Sequence, residues 1–140
     1  MAPPESHRKR LRFKAVEHEG FPDGRCRIRV LLEWRDGQTF VGEARGTQTT
    51  EGWLRTSAQA ALKAAESAAE GRLSLTLAGI KAVKAFDGWV VIAAVRARSE
   101  ERSYSLLGAQ TSREEAFRST AVRSVLDAIN RVLELHMDGG

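Results

Sequence analysis

The segment Leu106–Leu133, LLGAQTSREEAFRSTAVRSVLDAINRVL, reads as a second version of Gly42–Ala68, GEARGTQTTEGWLRTSAQAALKAAESA. A gapless shift of 64 residues lays Phe40 on Tyr104, Thr47 on Thr111, Trp53 on Phe117, Thr56 on Thr120 and Leu62 on Leu126. In the later segment Ala116, Phe117, Thr120, Ala121, Val125, Ala128, Ile129, Val132 and Leu133 recur at steps of three and four, which predicts a helix over 112–135. Ser112 followed by Glu115 has the spacing of a capping box at its start. In the earlier segment Trp53, Leu54, Ala58, Ala61, Leu62, Ala65 and Ala68 predict a helix over 51–70. Thr47, Thr49 or Thr50 can cap it and Gly71 ends it. Its many alanines let a neighbouring element approach closely.

Strands precede each helix. CRIRVLLEW alternates, with Cys26, Ile28, Val30, Leu32 and Trp34 on one side and Arg27, Arg29 and Glu33 on the other. Asp36-Gly37 is a hairpin signal before QTFVGEA. RLSLTLAGIKAV reads as a strand bent or bulged at Gly79, and GWVVIAAVRAR and ERSYSLLGA as two more. RLRFKAVEHEG is a further candidate, ending at the turn Phe21-Pro22-Asp23-Gly24. With slippage, RLRF at 10–13 matches RLSL at 72–75, and Ile28 falls on Ile92. The expectation is an α+β fold: two pseudo-symmetric strand-strand-strand-helix units, 9–71 and 72–135, forming a six-stranded sheet with two helices. One unit alone has too little apolar surface to close a core, which is reason enough for the duplication. Residues 1–8 read as a flexible basic arm and 136–140 as a tail.

The strand GWVVIAAVRAR is apolar on both faces. On the gapless register Val91, Ala93 and Val95 occupy the outward face. Either a second chain covers them or a bulge shifts the register. The reading adopted is a homodimer that buries Trp89, Val91 and Val95.

Chain length fits one domain, and the lone Cys26 permits neither an internal disulfide nor a multi-thiolate metal site. Net charge is +4, and residues 1–14 account for it with Arg8, Lys9, Arg10, Arg12 and Lys14 against Glu5 alone. No apolar run follows the charged first residues and none is long enough to span a bilayer, so a cytoplasmic, non-membrane protein is expected. His7, His18 and His136 share no metal spacing; phosphate-loop, dinucleotide and nucleophile-elbow motifs are absent from the sequence. The adjacent pairs Glu100-Glu101 and Glu114-Glu115 point different ways. These readings point away from an enzyme, a metal or a cofactor.

The duplicated unit resembles the C-terminal regulatory domain of 2-isopropylmalate synthase over residues 9–135, notably in Asp127-Ala-Ile-Asn130-Arg131 at the second helix end and in Gly42 and Gly46 of the first turn. The resemblance implies this fold, dimerisation and a non-enzymatic regulatory role; in that family leucine lies between the two units. The family's acidic residue near the start of the second helix is not reproduced, because Ser112 and Arg113 stand there. Candidate ligand contacts are Gly46, Thr47, Thr49, Thr50, Thr111 and Ser112, at helix starts whose free N–H groups suit an anion; capping alone also explains them. The partner is then a small molecule or another protein. The alternative is an RNA- or phosphate-binding module, using the arm and the stripe Arg25, Arg27 and Arg29; pairing of these arginines across strands with Glu33, Glu43 or other carboxylates also explains them. The strand-strand-strand-helix order also mimics double-stranded-RNA-binding domains, although their first helix is missing and the segment around Glu114-Glu115 is acidic where they carry lysines.

Overall fold

A computed structural model describes residues 10–137. The order is β1 (Arg12–Gly20), β2 (Arg25–Glu33), β3 (Thr39–Thr47), α1 (Thr50–Ala68), β4 (Ser74–Ala85), β5 (Gly88–Arg98), β6 (Ser103–Ser112), a 3-10 turn (Glu114–Ala116) and α2 (Phe117–Met137). The α+β fold and its twofold repetition stand as read from sequence. The arm expected at 1–8 lies outside the described residues; of the tail expected at 136–140, His136 and Met137 belong to α2 and the rest lies outside the described residues.

The six strands do not join in one sheet. β1-β2-β3 and β4-β5-β6 form separate antiparallel sheets. α1 lies across β2 and β3 on one side and meets β4 on the other; α2 lies across β5 and β6 and meets β1. The two helices run side by side in the same direction. Arg118 at the start of α2 sits over Trp53 at the start of α1, and Arg72 beyond the end of α1 donates to the carbonyl of His136. The layers are therefore sheet, helix pair, sheet. Each helix keeps one exposed ridge, at Glu51, Arg55, Lys63 and Ser67 on α1 and at Arg123, Asp127, Arg131 and Leu135 on α2. The reason is that both helices are apolar around most of their circumference, which one sheet cannot cover. Val122 and Leu126, off the stripe read from sequence, are buried too.

Glycine sets the contact between helix and sheet. A Cβ at Gly42 would collide with the backbone of Ala60 and Ala64, and one at Gly108 with that of Ser124 and Ala128. The helical partners are 64 residues apart but the glycines 66. Val30 pairs with Gly42 and Ala93 with Gly108, so β2 and β5 correspond at 63. In β1 and β4 the bulges fall after Phe13 and Leu77, at the original 64. The units are the same, but hairpin and connection lengths differ by one to three residues.

That offset corrects the register of β5. Val91, Ala93, Val95 and Ala97 face inward beneath α2 and are buried within the chain. Val91 and Val95 are thus core residues, and Trp89 is half-buried with its ring edge-to-face on Phe117 at 5.5 Å. A one-residue slip exchanges the two faces of a strand. Of the candidate dimer interface Trp89, Val91 and Val95, the two valines are not at the surface; Trp89, Val90, Ile92 and Ala94 are partly exposed.

A polar tie closes the two units into a ring. Glu66 of α1 accepts the amide of Leu75 at 2.8 Å. Asn130 of α2, at the equivalent position, accepts the amide of Leu11 at 3.1 Å and donates to its carbonyl at 3.2 Å. Each helix thereby holds the first strand of the other unit. Asn130→Ala strips both partners from a buried backbone pair, and a loss of about 2–3 kcal/mol in chemical denaturation is expected.

Candidate functional site

Where α1 begins, the chain leaves β3 and doubles over the helix end. Thr49 is the N-cap: its hydroxyl accepts from the amide of Gly52 at 2.9 Å. Gly52 lies so close to Thr47 that a Cβ there would strike the Thr47 carbonyl. Thr47 and Thr49 hydroxyls are 3.4 Å apart. Beside this turn a groove of about 630 Å³ opens between α1, β4 and the 3-10 turn before α2. Its walls are Leu54, Ile80, Ala82, Trp89 and Phe117; its rim carries Thr47, Thr50, Arg55, Lys81, Glu51 and Glu114. An apolar floor bordered by two cations, hydroxyls and the positive end of a helix suits a small amphiphile with an anionic head. The two rim carboxylates can hold an ammonium group.

Thr47, Thr49 and Thr50 therefore meet at one site, with Thr49 already engaged as cap. Gly46 does not line it. A Cβ on Gly46 would strike the Thr56 hydroxyl, so this glycine serves the seating of β3 on α1. Ser112 holds the equivalent place in the second unit, and its hydroxyl donates to Thr120 at 2.7 Å or to the Arg113 carbonyl at 2.8 Å. Thr111 faces the opposite way, paired with Val90 on the outer side of the second sheet. The second helix start is thus no twin of the first. The path from Gly108 to Phe117 is two residues shorter than that from Gly42 to Trp53, so β6 runs to Ser112 and enters the helix through a 3-10 turn. The capping box does not form: Arg113 occupies the cap position and makes no side-chain cap bond.

Trp53 stands over the corresponding place at the start of α2. His18 meets its edge at 5.6 Å and the Arg118 guanidinium lies 4.9 Å over its face. Partial burial, then the Arg118 charge, lower the pKa of His18, so its imidazole stays neutral further into acid than usual. Sequence gave no sign that Arg55, Lys81, Ile80 and Trp89 would gather round Thr49, since β4 and β5 are distant in the chain.

The arginine stripe is not a free basic patch. Arg27 bonds Glu19 at 2.7 Å and lies 3.8 Å from Glu43; Arg29 lies 4.0 Å from Glu17, and Arg25 3.7 Å from Asp23. Lys14 and Glu33 extend the network at 3.6 Å. These exposed pairs add little to stability, but they leave this sheet face near neutrality. α1 precedes the second unit and packs on β4; the acidic residues Glu114 and Glu115 stand at the start of α2.

Cys26 is buried, its thiol 3.5 Å from the Thr47 carbonyl. Among the described residues no three metal-ligating side chains converge, and no helix is long and apolar enough to cross a membrane. No model of a known protein family matches the chain, and no curated protein matches it in sequence.

Proposed function

We propose that this chain is a non-enzymatic regulatory or interaction module of the cytoplasm that works as a homodimer and takes a small amphiphilic ligand in the groove at the start of α1. The observation that carries this reading is the convergence of Thr47, Thr50, Arg55 and Lys81 around the apolar floor of Ile80, Trp89 and Phe117. The resemblance of the duplicated unit to the regulatory domain of 2-isopropylmalate synthase supports it, and the ion pairing of Arg27 and Arg29 weighs against a nucleic-acid site.

The test is a thermal-shift and calorimetric screen of branched amino acids and of the 2-oxo acids derived from them. One class should raise Tm in a saturable way, by about 5–10 °C at a hundredfold excess over Kd. Arg55→Glu and Trp89→Ala should abolish that rise in folded protein. A rise that survives both changes moves the site elsewhere. If no compound raises Tm, while RNA binds and is released by salt, the reading falls to the nucleic-acid alternative.

A further inference from the structure

We propose that the outer face of β4-β5-β6 is where two copies of this chain meet, stacked face to face about a twofold axis at Ile92, with the Phe86 hairpin tip of each copy set against Arg96 and Arg98 of the other. This rests on the homodimer reading above and names its surface.

The two sheets share one fold, and their outer faces can be compared place by place. Arg27 and Arg29 correspond to Val90 and Ile92, Glu19 to Val83, and Glu43 to Ala109. Every one of these charges takes part in the ion-pair network of the first sheet. In the second sheet these four places are apolar, while Glu17, the partner of Arg29, corresponds to Lys81 beside Ile92. A duplicated face kept in water has no use for that exchange, whereas a covered face does. Five large hydrophobic side chains are exposed among the described residues, and three belong to this surface: Val83 at 37%, Leu107 at 73% and Phe86 at 100%.

Phe86 is also held at φ 52° and Asp87 at φ 63°, in the turn between β4 and β5. Asparagine and glycine favour such turns and a phenylalanine is unfavourable there. Within the chain its ring gains no burial in return. The geometry supplies a partner. Ile92 is six residues from Phe86 and six from Arg98, about 20 Å along the strand in each direction. An antiparallel stack centred on Ile92 therefore brings the Phe86 ring and the Asp87 carboxylate to the end of the sheet bearing Arg96 and Arg98. Neither arginine has an ion pair among the described residues, and both border a depression of about 420 Å³ with Ser74, Thr76, Ser103 and Ser105. A ring and an acid facing two unpaired guanidiniums are complementary, and the twofold makes the contact twice.

Three strands at their usual spacing and the length of β5 give a footprint of about 500 Å² per copy. That is toward the lower end for a specific interface, so a dimer in the micromolar range is expected.

The experiment is sedimentation velocity on the full chain from about 1 to about 200 μM, with circular dichroism of every variant. Wild type should pass from monomer to dimer across this range. Ile92→Asp and Leu107→Asp should stay monomeric with unchanged spectra, while Leu31→Asp, on the other sheet's outer face, should dimerise as wild type does. Phe86→Asn relieves the turn and removes the ring. It should weaken association about tenfold without lowering the Tm of dilute, monomeric protein, a split that misfolding cannot produce. Asp87→Arg should weaken association likewise, and Arg98→Asp added to it should restore part of it. A wild type monomeric throughout overturns the homodimer reading together with its face. A dimer indifferent to Ile92→Asp, Leu107→Asp and Phe86→Asn overturns this face alone.

Discussion

Val91→Asp should yield no folded protein, while Ile92→Asp, one residue further along β5, folds. Val91 is 0% exposed and lies in a cluster with Leu54, Phe117 and Ala121. Its own carbonyl accepts from the Ser124 hydroxyl at 2.9 Å, which fixes the strand against α2. A carboxylate there would lie among Leu54, Phe117 and Ala121. Burying one unpaired, or neutralising it to avoid burial, costs several kcal/mol, against a total of about 5–15 kcal/mol for a domain. The loss of Val91 methyl packing adds about 1 kcal/mol or more. The measurement is far-ultraviolet circular dichroism with urea titration of soluble protein. A Val91→Asp chain that is folded but monomeric would place Val91 on the surface, with β5 slipped by one residue, and the inward register described above would be wrong.

Gly108→Val and Gly42→Val should be the next most damaging changes. A Cβ at either position meets helix backbone, not the mobile end of a side chain. The helix must lift off its sheet, and every contact on that side loosens with it. Overpacking costs typically about 1–3 kcal/mol; here about 3 kcal/mol or more is expected, because the obstacle cannot rotate away. The effect should appear as a fall in denaturation midpoint with little change in slope. Gly79→Ala is the control. It has nothing within 4 Å of the added methyl, and should change stability by less than about 0.5 kcal/mol. If Gly108→Val matches that control, α2 does not rest on β6 as closely as described.

Several features were legible in sequence because they depend on near neighbours. The alternation of β2 put Cys26, Ile28, Val30 and Leu32 inside. Asp36-Gly37 closes its hairpin, with Gly37 at φ 91°. Thr49 caps α1, one of three threonines able to do so. The bulge at Gly79 falls where the glycine suggested. The repeat emerged from patterning alone, and its helices register at the expected 64 residues, Trp53 with Phe117.

The strands of the repeat misled. Because β5 is apolar on both faces, alternation cannot say which face is inside, and the gapless alignment chose the wrong one. The answer depends on where α2 lies, which depends in turn on Gly108 and on a connection two residues shorter than its counterpart. The same shortening keeps Thr111 and Ser112 from forming a second helix-start site related to that at Thr49 by the pseudo-twofold. The arginine stripe pairs across strands, as its surroundings allowed, but only the structure shows which acids of the neighbouring strands it meets: Glu17, Glu19 and Glu43. Asn130 belonged to a short resembling motif, and its task, holding Leu11, joins residues at opposite ends of the chain.

By itself, then, the sequence determined the duplicated strand-strand-strand-helix unit, its turns and its first helix cap, since hydrophobic period and turn chemistry act over a few residues. Only the tertiary structure decided that the sheets lie on opposite sides of a helix pair, which face of β5 is core and which is bare, and that β4 and β5 complete a groove at Thr49. Those outcomes turn on backbone contact at two glycines and on offsets of one to three residues between the units, quantities that local pattern does not carry.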